Sequence, residues 1–476
     1  MQPTEQPQHA RIFYTDRTRI VQYRRCPRAR FYSTELELSL EEGEDLMISG
    51  GVTPKRLSLP LVIGSAVHEG LEVLHRAAIT QPYSEIDLDP ALAAALEYFD
   101  NETAQHMQDL DAAPEDAAQD EFAFLSAPGG FNEGRAKLEF KLKEARALVE
   151  GLVTAYMYVG LPQLLDTYEI LSVEEEMCMP LAENGKEFLV NLLGRADAIM
   201  RHKATNTLVA LSIKTAKDLD ARANKNWMMD DQGISEMLLL RQLVESGLLE
   251  QHGYNSFDNV QFGLQMLFLL KGKEYKDDRD GLYKHSNPLV KFYTMEHPSG
   301  EIDYAPKYEY VDDLGAKRRL GKGWRSTQIW EHPPATTQPA WLEFWIQLMQ
   351  QNHPGVVEGL VLLPEFYLRT QMELDHWMYQ AAQQEANIAA AKIDAENPNI
   401  NLPALLNSEF PLHRHSCNYP SACDYQGLCH PVANELGMSQ LGEQLLQATS
   451  LVQLHGLGFK LRTPNHPEPS ESRPSA

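Results

Sequence analysis

The sequence predicts an α/β protein: an antiparallel meander of strands flanked by helices. Period-two alternation of apolar and polar residues runs through Glu169–Leu181, Glu187–Met200 and Thr207–Lys214, as half-buried strands require. Asn184-Gly185 joins the first two strands, and this dipeptide is a strong hairpin signal. His202–Asn206 joins the second pair. Helical periodicity occupies the segments on both sides of the meander.

Taken in order, residues 1–10 are expected to be disordered. Thr18–Tyr32 reads as a short helix interrupted near Pro27. Residues 40–58 are acidic and contain glycine, and read as a loop. Leu61–Ala77 reads as a helix with Ser65 as its N-cap and His68 in its first turn, beside the stripe Val67, Leu71 and Leu74. A helix at 84–106, an acidic linker at 109–121 and a long amphipathic helix over Arg135–Val159 follow. After the meander come a polar loop at 216–231, a helix at Asp231–Ser246 with Gln232 in its first turn, and an apolar strand at Val260–Leu270. Residues 272–335 read as an insertion with some strand, and Trp341–Gln351 as a helix. Leu363–Ala395 reads as a long helix, 397–411 as a loop and 432–458 as helical, and the Pro- and Ser-rich tail from Thr463 as disordered. The organisation is therefore an N-terminal segment at 11–60, a helical region at 61–170, a core sheet and helix at 171–275, an insertion at 276–362, a long helix and cysteine cluster at 363–460, and a tail at 461–476.

The net charge of −25 over 476 residues argues against a general polyanion binder. It does not exclude nucleic acid, because binding follows the local field of a cleft. Basic residues cluster at Arg24, Arg25, Arg28 and Arg30, and again at Lys317, Arg318, Arg319, Lys322 and Arg325. Each cluster reads equally as a solvated face. The sequence suggests no membrane span and no signal peptide at its start, so a cytoplasmic location is expected.

Three groups of residues carry chemistry. Asp197 lies on the second strand and Lys214 on the third, with Ser212 on the same strand face as Lys214. An acid and a lysine in apolar strands form either a structural ion pair or a site. His68, beside an apolar stripe, is either a satisfied core histidine or a ligand. Cys417, Cys423 and Cys429 have the spacing C-x5-C-x5-C, with Cys26 far upstream, while Cys178 reads as a small buried hydrophobe. The spacing is too open for a zinc ribbon. A cubane iron–sulfur cluster, zinc and unrelated thiols all remain open. A shared cluster would tie the two ends of the chain together.

The order Cys-Pro-Arg-x-Arg-Phe-Tyr, Gly-Ser-Ala-Val-His, Gly-Arg-Ala-Asp, x-x-Lys-Thr, a helix-borne Gln and clustered cysteines resembles the PD-(D/E)XK nucleases of the RecB type. These include CRISPR-associated exonucleases with an iron–sulfur cluster. The resemblance runs from about residue 18 to 432. It implies a restriction-endonuclease-like core with a mixed sheet, helical insertions and an iron–sulfur C-terminal clamp on Cys26, Cys417, Cys423 and Cys429. It implies a Mg²⁺ or Mn²⁺ ion on His68, Asp197 and the Ile213 carbonyl, with Lys214 stabilising charge on the phosphate. Gln232 matches the start of a Gln-x-x-x-Tyr motif whose tyrosine position is here Glu236. DNA, single-stranded or as duplex ends, is the implied partner, with protein partners in a repair, recombination or adaptation complex also open.

The sequence departs from this pattern at one position. Where the family carries Asp or Glu two residues before the lysine, this chain has Ser212. A natural loss of activity, an acid supplied by Glu174 or Glu176, and a deliberate replacement are the three readings. The functions they support are a metal-dependent DNA nuclease, in repair, recombination, phage replication or CRISPR adaptation, and a non-catalytic DNA-binding or scaffolding protein on the same fold. The acidic surface also suggests a protein–protein adaptor.

Overall fold

A seven-stranded mixed sheet forms the centre of the computed structural model. The structure describes residues 11–42, 45–54, 58–112, 142, 145–146, 148–185, 187–216, 231–254, 261–270, 361–396, 402–417, 423–435 and 437–462, together with short strands between 274 and 326.

The chain enters through β1 (Arg11–Asp16) and turns directly into α1 (Arg17–Arg25). Asp16 caps that helix by accepting the Arg19 amide, satisfying one of its open N–H groups. A hairpin of β2 (Glu37–Glu42) and β3 (Asp45–Gly50) and the short β4 (Val52–Pro54) follow. Three helices come next: α2 (Leu59–Thr80), α3 (Asp89–Ala112) and α4 (Leu148–Thr167). The meander is β5 (Tyr168–Asn184), β6 (Phe188–His202) and β7 (Leu208–Ala216). From β7, α5 (Asp231–Glu245) crosses over to β8 (Phe262–Leu270), which pairs parallel with β7. The short β9 (Val361–Leu362) and β10 (Tyr367–Leu368) pair antiparallel with β8, and α6 (Gln371–Ala395) and α7 (Leu402–Glu409) follow.

Helices cover both faces of the sheet. Val209, Leu211 and Ile213 pack with α2, α3 and α4. Leu208 and Ala210, on the opposite face of the same strand, pack with α5 and α6 through Leu240, Leu243, Trp377 and Ala381. Strand alternation thus divides one short segment between two cores. Among the described residues α4 is long and apolar enough to cross a membrane, and two thirds of it is buried inside the fold. The sequence reading, looking for an unbroken apolar run, passed over it.

A third core joins the two ends of the chain. Cys26, Ala29 and Tyr32 pack with Leu406, Phe410, Tyr425, Leu428 and Cys429. Arg28 is fully buried, donating from Nε to the Phe410 carbonyl at 2.8 Å and from Nη2 to Asn407 at 2.9 Å. Tyr32 stacks on Tyr425 with ring centres 6.0 Å apart. The short β11 (Phe459–Leu461) pairs with β4. Arg30, also buried, lies between Glu35 at 2.6 Å and Glu385 at 3.0 Å, and Lys392 reaches Glu35 at 3.2 Å.

The ends of the chain meet through this packing, and the expected iron–sulfur clamp is corrected. All the cysteines are free, and among the described residues no group of three or more His, Cys, Asp or Glu side chains could hold a metal ion. Burial pushes the Cys429 thiol up to about 12, and raises Cys417 and Cys423 as well. Cys26 and Cys429 act as small apolar side chains in a core held by arginines, aromatic rings and a strand pair. Cys178 is exposed rather than buried, because it sits on the open face of β5.

Several element boundaries also differ from expectation. The helix carrying His68 begins at Leu59 after Ser58, with Pro60 in its first turn, so Ser65 lies inside it. Residues read as a loop at 40–58 include most of the hairpin and β4, and 397–411 contains α7. The long helix starts at Gln371, after β9 and β10, with Thr370 and Glu373 forming a capping box. The segment at 432–458 contains two short helices, Gln440–Leu446 and Leu451–Gly456. Small two- and three-stranded sheets occur between 274 and 326. Residues 1–10, most of the acidic linker, the first part of the 135–159 helix, the Trp341–Gln351 helix and the tail lie outside the described residues.

Removing one member of a buried ion network strands the charges that remain. Arg30→Ala is expected to lower unfolding free energy by about 3–5 kcal/mol, read from the urea midpoint. Burial raises the Glu35 carboxyl, yet Arg30 and Lys392 overcome that and hold it far below the ordinary carboxylate range. Its contribution is therefore present above the ordinary value and fades as pH falls, and Arg30→Ala should flatten that acid-side loss.

Candidate functional site

β6 is paired along one edge by β5 from end to end. Its other edge is shared. β1 covers Phe188–Leu193 and β7 covers Ala198–Arg201. Gly194, Arg195, Ala196 and Asp197 fall between the two, so the Gly-Arg-Ala-Asp segment occupies a gap in the sheet. Gly194 lets α5 come close there: a Cβ at this position would lie 2.3 Å from the Leu239 side chain.

Asp197 closes the gap. The β6–β7 ladder ends at Ala198 and Leu211. One step further, the Asp197 Oδ2 accepts the Ile213 amide at 2.5 Å in place of a ladder bond. Oδ1 lies 3.2 Å from Nδ1 of His68, which α2 carries across from the helical layer. The two side chains are 30% and 18% exposed. Burial lowers His68, but the charge and hydrogen bond of Asp197 more than restore it, and its net shift is upward. Burial raises Asp197, and His68, Lys214 and the Ile213 amide outweigh it, so its net shift is downward. The pair is thus an ion pair at moderately acid pH.

Lys214 is half-buried on β7, and its charge bears on both His68 and Asp197. Ser212 is fully buried on the strand face shared with Leu208 and Ala210. Gln232 is the second residue of α5, and its side chain lies outside the described residues. Glu236, at the tyrosine position, is buried one turn further on. The first residue of that helix, Asp231, binds Arg24 of α1 at 2.9 Å.

Of the two acids offered as substitutes for Ser212, one reaches the site. Glu174 falls between the pairs Val173–Ala198 and Glu175–Ala196, opposite Asp197. Its φ of 55° is a left-handed conformation rare in a strand, the kind of local strain that clusters at functional positions. Burial and the Asp197 charge push it up to about 7. It is already held by Arg195, with Nε 2.5 Å from the carboxylate. Glu176 is exposed beside Arg195 in the register. Sequence reading assigned no role to Arg195, although alternation along β6 placed it on the face of Asp197. It also missed His75, one helical repeat beyond His68 and fully buried against the Tyr156 hydroxyl at 2.7 Å. Burial lowers His75 to about 4, so it is a neutral structural group near pH 7.

The chain matches the PD-(D/E)XK nuclease superfamily over residues 17–430. The chain belongs to this superfamily. The mixed sheet flanked by helices agrees with the superfamily's core. No curated protein matches it. The divalent ion expected by resemblance does not fit the donors present. Asp197 uses one oxygen on His68 and the other on a backbone amide. Ser212 supplies no charge, and hard cations depend on ligand charge. Among the described residues, no three metal-ligating side chains converge. The structure places His68, Asp197 and the Ile213 amide in contact, with the Lys214 charge bearing on them, and the Mg²⁺ or Mn²⁺ assignment is corrected.

The ion pair gives a pH signature. The lowered carboxyl of Asp197 stabilises the fold above its ordinary value of 3.8 and loses that contribution as pH falls. The raised imidazole of His68 stabilises it below 6.5 and loses that contribution as pH rises through its folded value. The pair should be strongest between these two ordinary values. Asp197→Asn is expected to move the His68 titration below 6.5, followed by NMR of the imidazole carbon-bound protons.

Proposed function

We propose that this chain binds DNA, as a single strand or at a duplex end, over the surface formed by His68, Asp197 and Lys214, and holds it without cutting it. The observation that carries this reading is Ser212, buried where the superfamily places an acid. Phosphodiester hydrolysis needs a water made nucleophilic and an anionic transition state neutralised. A serine hydroxyl accepts a proton poorly and adds no charge, and both oxygens of Asp197 are engaged within the protein. Binding asks less of the surface, because cationic side chains near a phosphate suffice. The net charge of −25 is compatible with this, since the local field at the strand rather than the total charge attracts the backbone. Repair, recombination, phage replication or CRISPR adaptation are the settings in which a DNA-holding protein of this fold would act, with protein partners supplying any chemistry.

The test is fluorescence anisotropy with a labelled single-stranded oligonucleotide over a salt series, with product analysis of the same samples. Affinity should fall linearly with salt on logarithmic axes, and Lys214→Ala should weaken binding several-fold. No shortened product should form when Mg²⁺ or Mn²⁺ is added. Cleavage that disappears in Asp197→Ala would overturn the non-cutting reading. Undetectable binding at low salt would overturn DNA binding itself.

A further inference from the structure

Arg195 lies two residues before Asp197 on β6, so strand alternation puts both side chains on the sheet face that α2 covers. Its register partner on β5 is Glu176, yet its ion pair is with Glu174, diagonally across and opposite Asp197. Diagonal neighbours on adjacent strands are within reach of a long side chain. Glu174 makes this pair from a left-handed backbone, φ 55°, although the β5–β6 register runs on without a shift through Val173 and Glu175. The ladder itself does not call for the distortion. A partly exposed ion pair returns less stability than a left-handed residue other than glycine costs. The Arg195 side chain is 44% exposed, so stabilisation of the fold does not account for the strained position of its partner.

Arg195 is also more exposed than His68, which is already committed to Asp197. Among the described residues the Arg195 guanidinium has one ion pair, through Nε, and no hydrogen bond from Nη1 or Nη2. Held at Nε, a planar guanidinium still presents its terminal nitrogens, which can meet two phosphate oxygens at once. The Glu174 carboxylate is itself an anion of two oxygens, and it covers a donor edge that a phosphate would use. Asp197 on β6 and Glu72 and His68 on α2 bear on Glu174 by charge, and Glu69 on α2 feels Arg195. The two carboxylates beside Glu174 oppose its own negative charge. A phosphate meets the guanidinium from its exposed side, where water and salt screen those acids.

We propose that Arg195 is the residue of this site that takes a DNA phosphate, and that Glu174 is its internal competitor, a carboxylate resting on the guanidinium until the DNA backbone replaces it. This rests on the DNA-binding reading and deepens it, by naming the contact and the group that restrains it. The left-handed backbone of Glu174 then belongs to the binding surface, where strain of this kind collects.

The experiment is a double-mutant cycle on the full-length protein, with Arg195→Gln, Glu174→Gln and both together, read by anisotropy of a labelled single-stranded oligonucleotide over a salt series. Arg195→Gln should weaken binding several-fold and reduce the salt slope by about 0.7, the value for one lost phosphate contact on a single strand. Glu174→Gln should tighten binding several-fold, but not in the Arg195→Gln background, where the competitor has nothing left to cover. Glu174→Gly, which suits the left-handed backbone, releases the arginine by a second route and should tighten binding too. Equal tightening by Glu174→Gln in both backgrounds would overturn the proposal, since any lost negative charge would then do the same. Unchanged or weaker binding in both Glu174 variants would overturn it as well, while leaving DNA binding by the wild-type protein intact. Absence of binding by the wild type and by every variant would instead remove the function on which the proposal stands.

Discussion

The structure depends on how the two edges of β6 are shared. β5 takes one edge completely. The other passes from β1 to β7, leaving four residues without a ladder partner on that side. Backbone groups in such a gap need other partners. Asp197 supplies one by accepting the Ile213 amide, and with its second oxygen it draws His68 down from α2. One carboxylate therefore completes the sheet, anchors the helical layer and sets the electrostatics of the site. A side chain with these structural tasks is less available for chemistry than its place in the motif suggests.

Ser212 follows from the same arrangement. At the step where the ladder ends, an acid would stand beside Asp197, opposite Glu174, in a region already rich in carboxylates. Glu174 shows the cost of adding one: burial and the Asp197 charge raise it even with Arg195 attached. With serine at 212, the core under α5 and α6 closes over a neutral group. The superfamily scaffold persists with one carboxylate fewer at this step.

The legible parts of the fold were those fixed by local pattern. The β5–β7 meander, the α5 helix and the β8 strand followed from periodicity and turn residues, while the parallel pairing of β8 with β7 did not, and His68, Asp197 and Lys214 were grouped only through the family resemblance. β1 did not, because Arg-Ile-Phe-Tyr-Thr-Asp is short and polar at both ends and is a strand only by virtue of the β6 edge beside it. The hairpin at 37–50 was hidden by its acidic and glycine residues. Cys26 and Cys429 share a core, but the spacing that suggested a cluster brings no metal-holding group together among the described residues. The roles of Arg28 and Arg30 were equally hidden, since burial of these arginines requires a carbonyl 382 and a carboxylate 355 positions away to be in place.

The joining of the chain ends has a consequence for how the protein is made. Synthesis runs from the N-terminus, and Arg28 and Arg30 emerge long before Phe410, Asn407 and Glu385 exist. Contacts so distant in sequence form late and slowly. Until they do, two cations that end up in a dry core stay in water, and Cys26 and Tyr32 stay uncovered. The helical layer and the meander can be assembled on the ribosome, but the junction of the two ends cannot. The joined ends thus take their final arrangement only after the last turns of the chain have been released.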